Sequence, residues 1–362
     1  LDRQEIEHAI SGYRDPYLNQ SLLESGALKD IRIDGANVEV DLEFGYPIKG
    51  IQGGIEQLVT NAIENVDGVE SVSVAIRSVI TGHKPANDVQ VLDKVKNIIA
   101  VASGKGGVGK STVSANLALA LAAEGARVGI LDADIYGPSV GMMLGVPEGQ
   151  RPEAPEGKYF LPIEAHGIQA MSMAFLVTDK TPMVWRGPMV SGALQQLLTQ
   201  TRWDELDYLI IDMPPGTGDI QLTLAQKVPV TAAVVVTTPQ DIALLDCKKG
   251  IEMFTKVNIP VLGVVENMSL YHCPKCGHLE PIFGEGGGER IAQQYGVDLI
   301  GQLPLNRTIR EQADSGCPTV VAEPDCEVAL LYRDMARKAA ALLSAQEADP
   351  LAMPEIIMRS QD

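Results

Sequence analysis

The nine residues at positions 104–112 read GKGGVGKST, a composition and spacing with a specific chemical use. Gly104, Gly106, Gly107 and Gly109 remove the Cβ atoms that would stop a backbone from wrapping its N–H groups, that of Val108 included, around a triphosphate. Lys110 is then placed for the β- and γ-phosphates, the Ser111 hydroxyl for Mg²⁺ and Thr112 for the α-phosphate. The plain alternative is a tight turn without a ligand. The context argues against it, because an apolar run at 98–102 precedes the loop and Val113, Leu117, Ala120 and Leu121 follow at helical spacing.

Two further apolar runs end in carboxylates. Residues 128–131 lead into Asp132 and Asp134, and residues 209–211 lead into Asp212 and the stretch MPPGTG. Phosphoryl transfer depends chiefly on positioning and on neutralising charge. Carboxylates so placed could orient an attacking water or hold the waters of Mg²⁺; Asp134 is assigned the first role, and Asp132 and Asp212 the second. An Asx turn at a strand end is the plain alternative for Asp132 and Asp134.

A different chemistry stands at 272–278, HCPKCGH. Cys273 and Cys276 have the spacing of half a metal knuckle, and the chain holds no second CxxC to complete it. In a twofold dimer the same loop from both copies would supply four thiolates, a set that suits Zn²⁺ or a [4Fe–4S] cluster. His272 and His278 could instead complete a zinc site within one chain. Spacing does not choose between these metals. Cys247, Cys317 and Cys326 read as small core residues.

The elements that must position these groups follow from the same runs. Short apolar stretches at 98–102, 128–131, 208–211, 232–236 and 261–265, separated by helical patterns, predict a doubly wound α/β domain with a mostly parallel sheet. Ligands in such sheets sit at the carboxyl ends of strands, where every motif above falls. Ahead of this domain, alternation at 38–44 and 72–76 flanks a helical pattern at 51–65, a small α+β unit over 1–80. Residues 81–96 read as a linker, 97–345 as the phosphate-binding domain, 328–343 as its closing amphipathic helix, and 346–362 as a loose tail.

The run KGGVGKS resembles the deviant Walker A ATPases, the group of the nitrogenase iron protein, MinD and ParA. The resemblance implies ATP as the nucleotide. It makes Lys105 a residue that reaches the nucleotide of a partner subunit, and so implies a homodimer. It also implies that Gly216 offers its N–H to the γ-phosphate and that Asn267, with the Pro304 segment as second choice, contacts adenine; Asn is equally a common turn residue. With LDADIYGPS, IIDMPPGTGD, VVENMS and CPKCG in this order, the chain is further similar to the Mrp/ApbC iron–sulfur cluster carrier ATPases over nearly its whole length. The segments 171–173 and 185–189 and the N-terminal unit share that likeness. It implies slow ATP hydrolysis coupled to carriage of a labile cluster on Cys273 and Cys276, delivered to apo iron–sulfur proteins, with cluster-assembly scaffolds as further partners. Some relatives of the N-terminal unit use a cysteine there, but this chain has none before Cys247, so partner recognition is the expected role of residues 1–80.

Composition narrows the alternatives. A formal net charge of −18 and a pI near 4.7 argue against nucleic acid and anionic lipid as general partners. That weakens the competing reading of a positioning ATPase of the MinD/ParA kind, as does the lack of a basic amphipathic pattern at 350–362. No apolar run approaches the length that spans a bilayer, residues 1–10 lack a signal-peptide pattern, and five cysteines all beyond position 246 form no secreted framework. A cytoplasmic protein is expected. A nucleotide-regulated assembly protein with structural zinc is the third reading.

Overall fold

Strands that are apolar on both sides belong in the middle of a sheet covered on both faces, and the five runs above occupy such places. The computed structural model describes residues 1–85, 92–175 and 187–346. The N-terminal unit contains α1 (Arg3–Ile10), β1 (Leu28–Asp34), β2 (Asn37–Phe44), α2 (Gln52–Glu64) and β3 (Ser71–Ser78). β2 lies between antiparallel β1 and parallel β3, and its alternate residues Val38, Val40, Leu42 and Phe44 are buried. Asp2 begins α1 with a capping box shared with Glu5, a start that the charged run LDRQE hid from pattern reading.

The larger unit opens with β4 (Val95–Ala102), α3 (Lys110–Ala123), β5 (Val128–Asp132), α4 (Val140–Met143), β6 (Ile163–Ala165) and β7 (Ile168–Ser172). It continues through α5 (Gly187–Gln200), β8 (Leu206–Asp212), α6 (Asp219–Lys227), β9 (Ala232–Thr237), α7 (Asp241–Lys256) and β10 (Val261–Glu266). It ends with β11 (Tyr271–His272), β12 (Leu279–Glu280), α8 (Gly287–Tyr295), β13 (Asp298–Gln302), α9 (Arg307–Asp314), α10 (Thr319–Ala322) and α11 (Glu327–Ser344). Eight strands form one sheet in the order β13-β10-β9-β4-β8-β5-β7-β6, parallel except for the β6–β7 pair. This is the expected doubly wound α/β architecture. Trp185, Arg186, residues 86–91 of the expected linker and residues 347–362 of the expected tail lie outside the described residues.

Alternation along β4 divides the core. Ile99 and Val101 join the layer of α3 and α11, whereas Ile98, Ala100 and Ala102 join that of α5 and α7. α3 is the most enclosed helix, with every residue from Val113 to Leu121 buried, which is why it shows almost no polar face.

The N-terminal unit shares the first of these cores and is fastened at the far end of the phosphate-loop helix. Glu124, just past α3 and with a side chain 0% exposed, accepts hydrogen bonds from Arg333 Nε and Arg337 Nη1 of α11, both at 2.7 Å, and from the Gly50 N–H, also at 2.7 Å. Arg337 Nε donates in turn to the Tyr17 hydroxyl at 2.6 Å. A Cβ at Gly50 would press on the ends of the Arg333 and Glu124 side chains, so any larger residue there would have to shift this cluster. Glu124→Ala strands two largely buried guanidinium groups, and it is expected to destabilise the fold by about 3 kcal/mol in urea unfolding. An unchanged denaturation midpoint would show that this cluster does not fasten the two units.

Candidate functional site

The glycines at 107 and 109 adopt φ of 81° and 82°, so the loop turns through left-handed backbone before α3 begins. Gly109 also lies under Asn267 and Gly104 under the Asp246 carbonyl of α7, positions where a Cβ would collide. At the start of α3, Lys110 Nζ lies 2.7 Å from Asp212 Oδ1 at the end of β8. The Ser111 hydroxyl donates to Asp212 Oδ2 at 2.6 Å and the Ser114 hydroxyl to Oδ1 at 2.6 Å. Asp212 is fully buried, so these donors balance a charge that water does not reach. Ser114 was not singled out in the sequence. Its signal is its place four residues after Lys110, on the same face of the helix.

Asp132 is also fully buried, with Oδ1 accepting the Asp134 N–H at 3.1 Å and Oδ2 those of Ser139 and Val140 at 2.9 and 3.0 Å. This bonding has the form of the Asx turn that was the plain alternative. The same carboxylate sits close enough to Asp212 to feel its charge: burial, then repulsion by Asp212, pushes its pKa up to about 7. Burial lifts Asp134 above the ordinary carboxylate range too, with Lys110 pulling the other way, and its Oδ1 is buried without a hydrogen-bond partner. Three carboxylates, one ammonium and the Ser111 hydroxyl thus converge where the loop meets the ends of β5 and β8. The carboxylates do not close into a group that would grip an ion directly, so the set fits a Mg²⁺ that is held by the Ser111 oxygen and keeps most of its waters.

Two candidates are engaged in hydrogen bonds of their own. The Gly216 N–H donates to the Ser103 carbonyl at 2.8 Å, so contact with a γ-phosphate requires that bond to exchange. Asn267 is buried and its Nδ2 donates to the Val108 carbonyl at 2.9 Å, bracing the phosphate loop from behind. Lys105 is half-buried on the loop, its carbonyl accepting the Ser103 hydroxyl at 2.9 Å.

The Pro304 segment, in contrast, lines a cavity of about 760 Å³, within the range of small-molecule sites. Glu266 and Ser269, which flank Asn267, and Thr319 form other parts of its wall. Thr319 precedes Val320, whose N–H donates to Asn116 of α3 at 3.2 Å, so the cavity abuts the phosphate-loop helix. Cys326 lines the cavity as well. It is partly exposed and caps α11, its Sγ accepting the Ala329 N–H at 3.4 Å; Cys317 is partly exposed too, and only Cys247 is the buried core thiol expected of all three.

Cys273 and Cys276 stand on the turn between β11 and β12. The Cys273 N–H donates to the His278 carbonyl and the Gly277 N–H to the Cys273 carbonyl, both at 2.9 Å. The backbone N–H groups of Cys276 and Lys275 point at the Cys273 sulfur and lower its pKa, which favours the thiolate. Cys276 is exposed and Cys273 half-buried. Among the described residues, no group of three or more His, Cys, Asp or Glu side chains is arranged to hold a metal ion.

Sheet order, glycine loop and carboxylates define a P-loop NTPase of the MinD/ParA type. The MinD cell-division ATPase of Pyrococcus furiosus shares this fold at 23% identity and a TM-score of 0.50, over 67% of this chain and 97% of that one. The ADP complex of a nucleotide-binding protein from Archaeoglobus fulgidus matches at 39% identity and a TM-score of 0.57, over 65% of this chain and 91% of that one. A family described as NUBPL iron-transfer P-loop NTPase matches residues 94–340, and one described as iron-sulfur cluster assembly protein matches residues 3–76. The iron-sulfur cluster carrier protein of Pseudomonas fragi is 67% identical over 275 residues, 76% of this chain and 96% of the relative. That of Escherichia coli K12 is 49% identical over 341 residues, 94% of this chain and 92% of the relative. The chain belongs to the iron–sulfur cluster carrier family of P-loop NTPases.

Proposed function

We propose that the protein hydrolyses ATP and carries a labile iron–sulfur cluster, held between two copies of the chain by Cys273 and Cys276, to apo iron–sulfur proteins. The observation that carries this reading is the cysteine turn: a surface thiol pair, one sulfur already met by two N–H groups, with no third ligand beside it among the described residues. Two sulfurs fill half of a four-thiolate set, and a twofold mate supplies the remainder. The zinc alternative within one chain needs His272 or His278 to join the thiols; among the described residues no such group of three is brought together. The positioning-ATPase alternative is disfavoured by the charge of −18.

In the nucleotide half, Lys110 turns from Asp212 to the β- and γ-phosphates, while loop N–H groups hold the remaining oxygens. Ser111 would hold Mg²⁺ directly and Asp212 and Asp132 through its waters; bound there, the ion would supply positive charge to the triphosphate. Asp134, with an unpaired buried oxygen, orients the water that attacks the γ-phosphorus as the bond to the ADP oxygen breaks. The base and ribose occupy the cavity beside Pro304, with Asn267 bracing the loop. Lys105 reaches the nucleotide of the second copy.

Asp134→Ala is expected to keep ATP binding and slow turnover about 10–1,000-fold, as measured by phosphate release. Unchanged turnover would remove Asp134 from the catalytic set. The reading as a whole is tested by anaerobic reconstitution with iron and sulfide, followed by transfer to an apo-enzyme. Wild type should gain both elements and activate the acceptor, whereas the variant with Cys273→Ser and Cys276→Ser should do neither. Zinc retained against the iron and sulfide challenge would favour a structural metal instead.

A further inference from the structure

One wall of the cavity beside Pro304 is the hairpin that carries the cysteines. His272 and Leu279, paired across β11 and β12, both line the cavity. His272 directly precedes Cys273 and Leu279 lies three residues beyond Cys276, so this pair is the base of the loop that presents both thiols. The chain entering the hairpin is also stitched to the Pro304 segment. The Leu305 N–H donates to the Leu270 carbonyl at 2.8 Å, the Ser269 N–H to the Leu303 carbonyl at 2.9 Å, and Tyr271 bridges to Leu305. Pro304 and Asn306, within and beside this seam, line the same space.

We infer that the purine of the bound nucleotide packs against the cysteine hairpin and sets its posture, so that occupancy of the base cavity, and not of the phosphate loop alone, governs the thiol pair. The inference rests on the reading of this cavity as the base site. A hairpin of two two-residue strands has little stability of its own, and Leu279 is 55% exposed, so the loop takes its order from what it packs against. A planar base in the cavity gives Leu279 and His272 an apolar partner. The hairpin arrangement that makes this contact is then favoured over those that do not, by as much as the contact is worth. The thiols thereby report the nucleotide within a single chain, before any second copy is engaged.

Iodoacetamide labelling of the iron-free protein, with Cys273 followed by peptide mass spectrometry, tests this. Saturating Mg-ATP should slow labelling of Cys273 about fivefold or more, the lower end of usual coupling strengths. Inorganic tripolyphosphate with Mg²⁺, bound to saturation by calorimetry, should change it less than about twofold. The contrast should persist in Lys105→Ala, because it arises within one chain. Equal slowing by tripolyphosphate, or an unchanged rate with ATP bound, overturns the inference. Leu331→Trp, which narrows the cavity from α11, separates this from an error about the base site: it should weaken ATP about tenfold and leave tripolyphosphate unaffected. If both ligands bind as to wild type, the base lies elsewhere and the inference falls with it. No iron enters these assays, so failure to load a cluster in reconstitution would not be mistaken for failure here.

Discussion

Lys110→Ala is expected to lower ATP turnover about a thousandfold, the upper range for removing one group that stabilises transition-state charge. The loss has two sources. The substitution removes the cation assigned to the phosphates, and it leaves Asp212, fully buried, with only the Ser111 and Ser114 hydroxyls at 2.6 Å. A buried carboxylate deprived of its ammonium destabilises a fold by about 3 kcal/mol, so a lowered midpoint in urea should accompany the kinetic defect. Comparing nucleotide affinity by calorimetry with turnover, under conditions where circular dichroism shows the variant folded, separates lost chemistry from lost structure. Turnover above about a tenth of wild type would remove Lys110 from the centre of the mechanism. Lys110→Arg is not expected to restore it, because a planar fork does not replace a compact ammonium in so enclosed a place.

The second large effect is on metal. Cys273→Ser is expected to abolish cluster binding and transfer while ATP turnover stays within about twofold, a change below ~0.5 kcal/mol in barrier. A serine hydroxyl stays protonated and is a poor ligand for iron, although it can still accept the N–H groups that now meet the sulfur. The turn should therefore survive the substitution, since its bonds between Cys273 and His278 and between Gly277 and Cys273 are all backbone. Cys273 does not line the cavity beside Pro304 and takes no part in the contacts among Lys110, Ser111 and Asp212. Iron and sulfide analysis beside a phosphate-release assay measures both halves. Global unfolding of Cys273→Ser would show that the thiol is structural, and a large fall in turnover would show that the two halves are not separable.

What the sequence disclosed, it disclosed through backbone demands. Strands buried on both faces must be continuous apolar runs, so β4, β5, β8, β9 and β10 were legible. The phosphate loop was legible because Gly104, Gly107 and Gly109 sit where the chain turns left-handed or packs against a neighbour. Strand β1, LKDIRID, escaped because it shows only one buried residue, Ile31. Long-range partners escaped for a different reason. Nothing in the surroundings of Glu124 announces that two arginines more than 200 positions away converge on it. Asn267 stands at the strand end anticipated for a base contact, yet its amide holds the Val108 carbonyl; residue type gave the place but not the direction of the hydrogen bond. The cysteine spacing was plain, whereas the nearness of its hairpin to the cavity beside Pro304 depends on the seam between 269–271 and 303–305 and could not be read from either segment alone.

Native mass spectrometry under anaerobic conditions after reconstitution tests most directly whether a cluster is shared. The account predicts a species of two chains with one cluster's complement of iron and sulfide, which falls to single metal-free chains when Cys273 and Cys276 are both replaced by serine. A single chain that keeps its metal alone, or a dimer whose iron survives loss of both thiols, would contradict it.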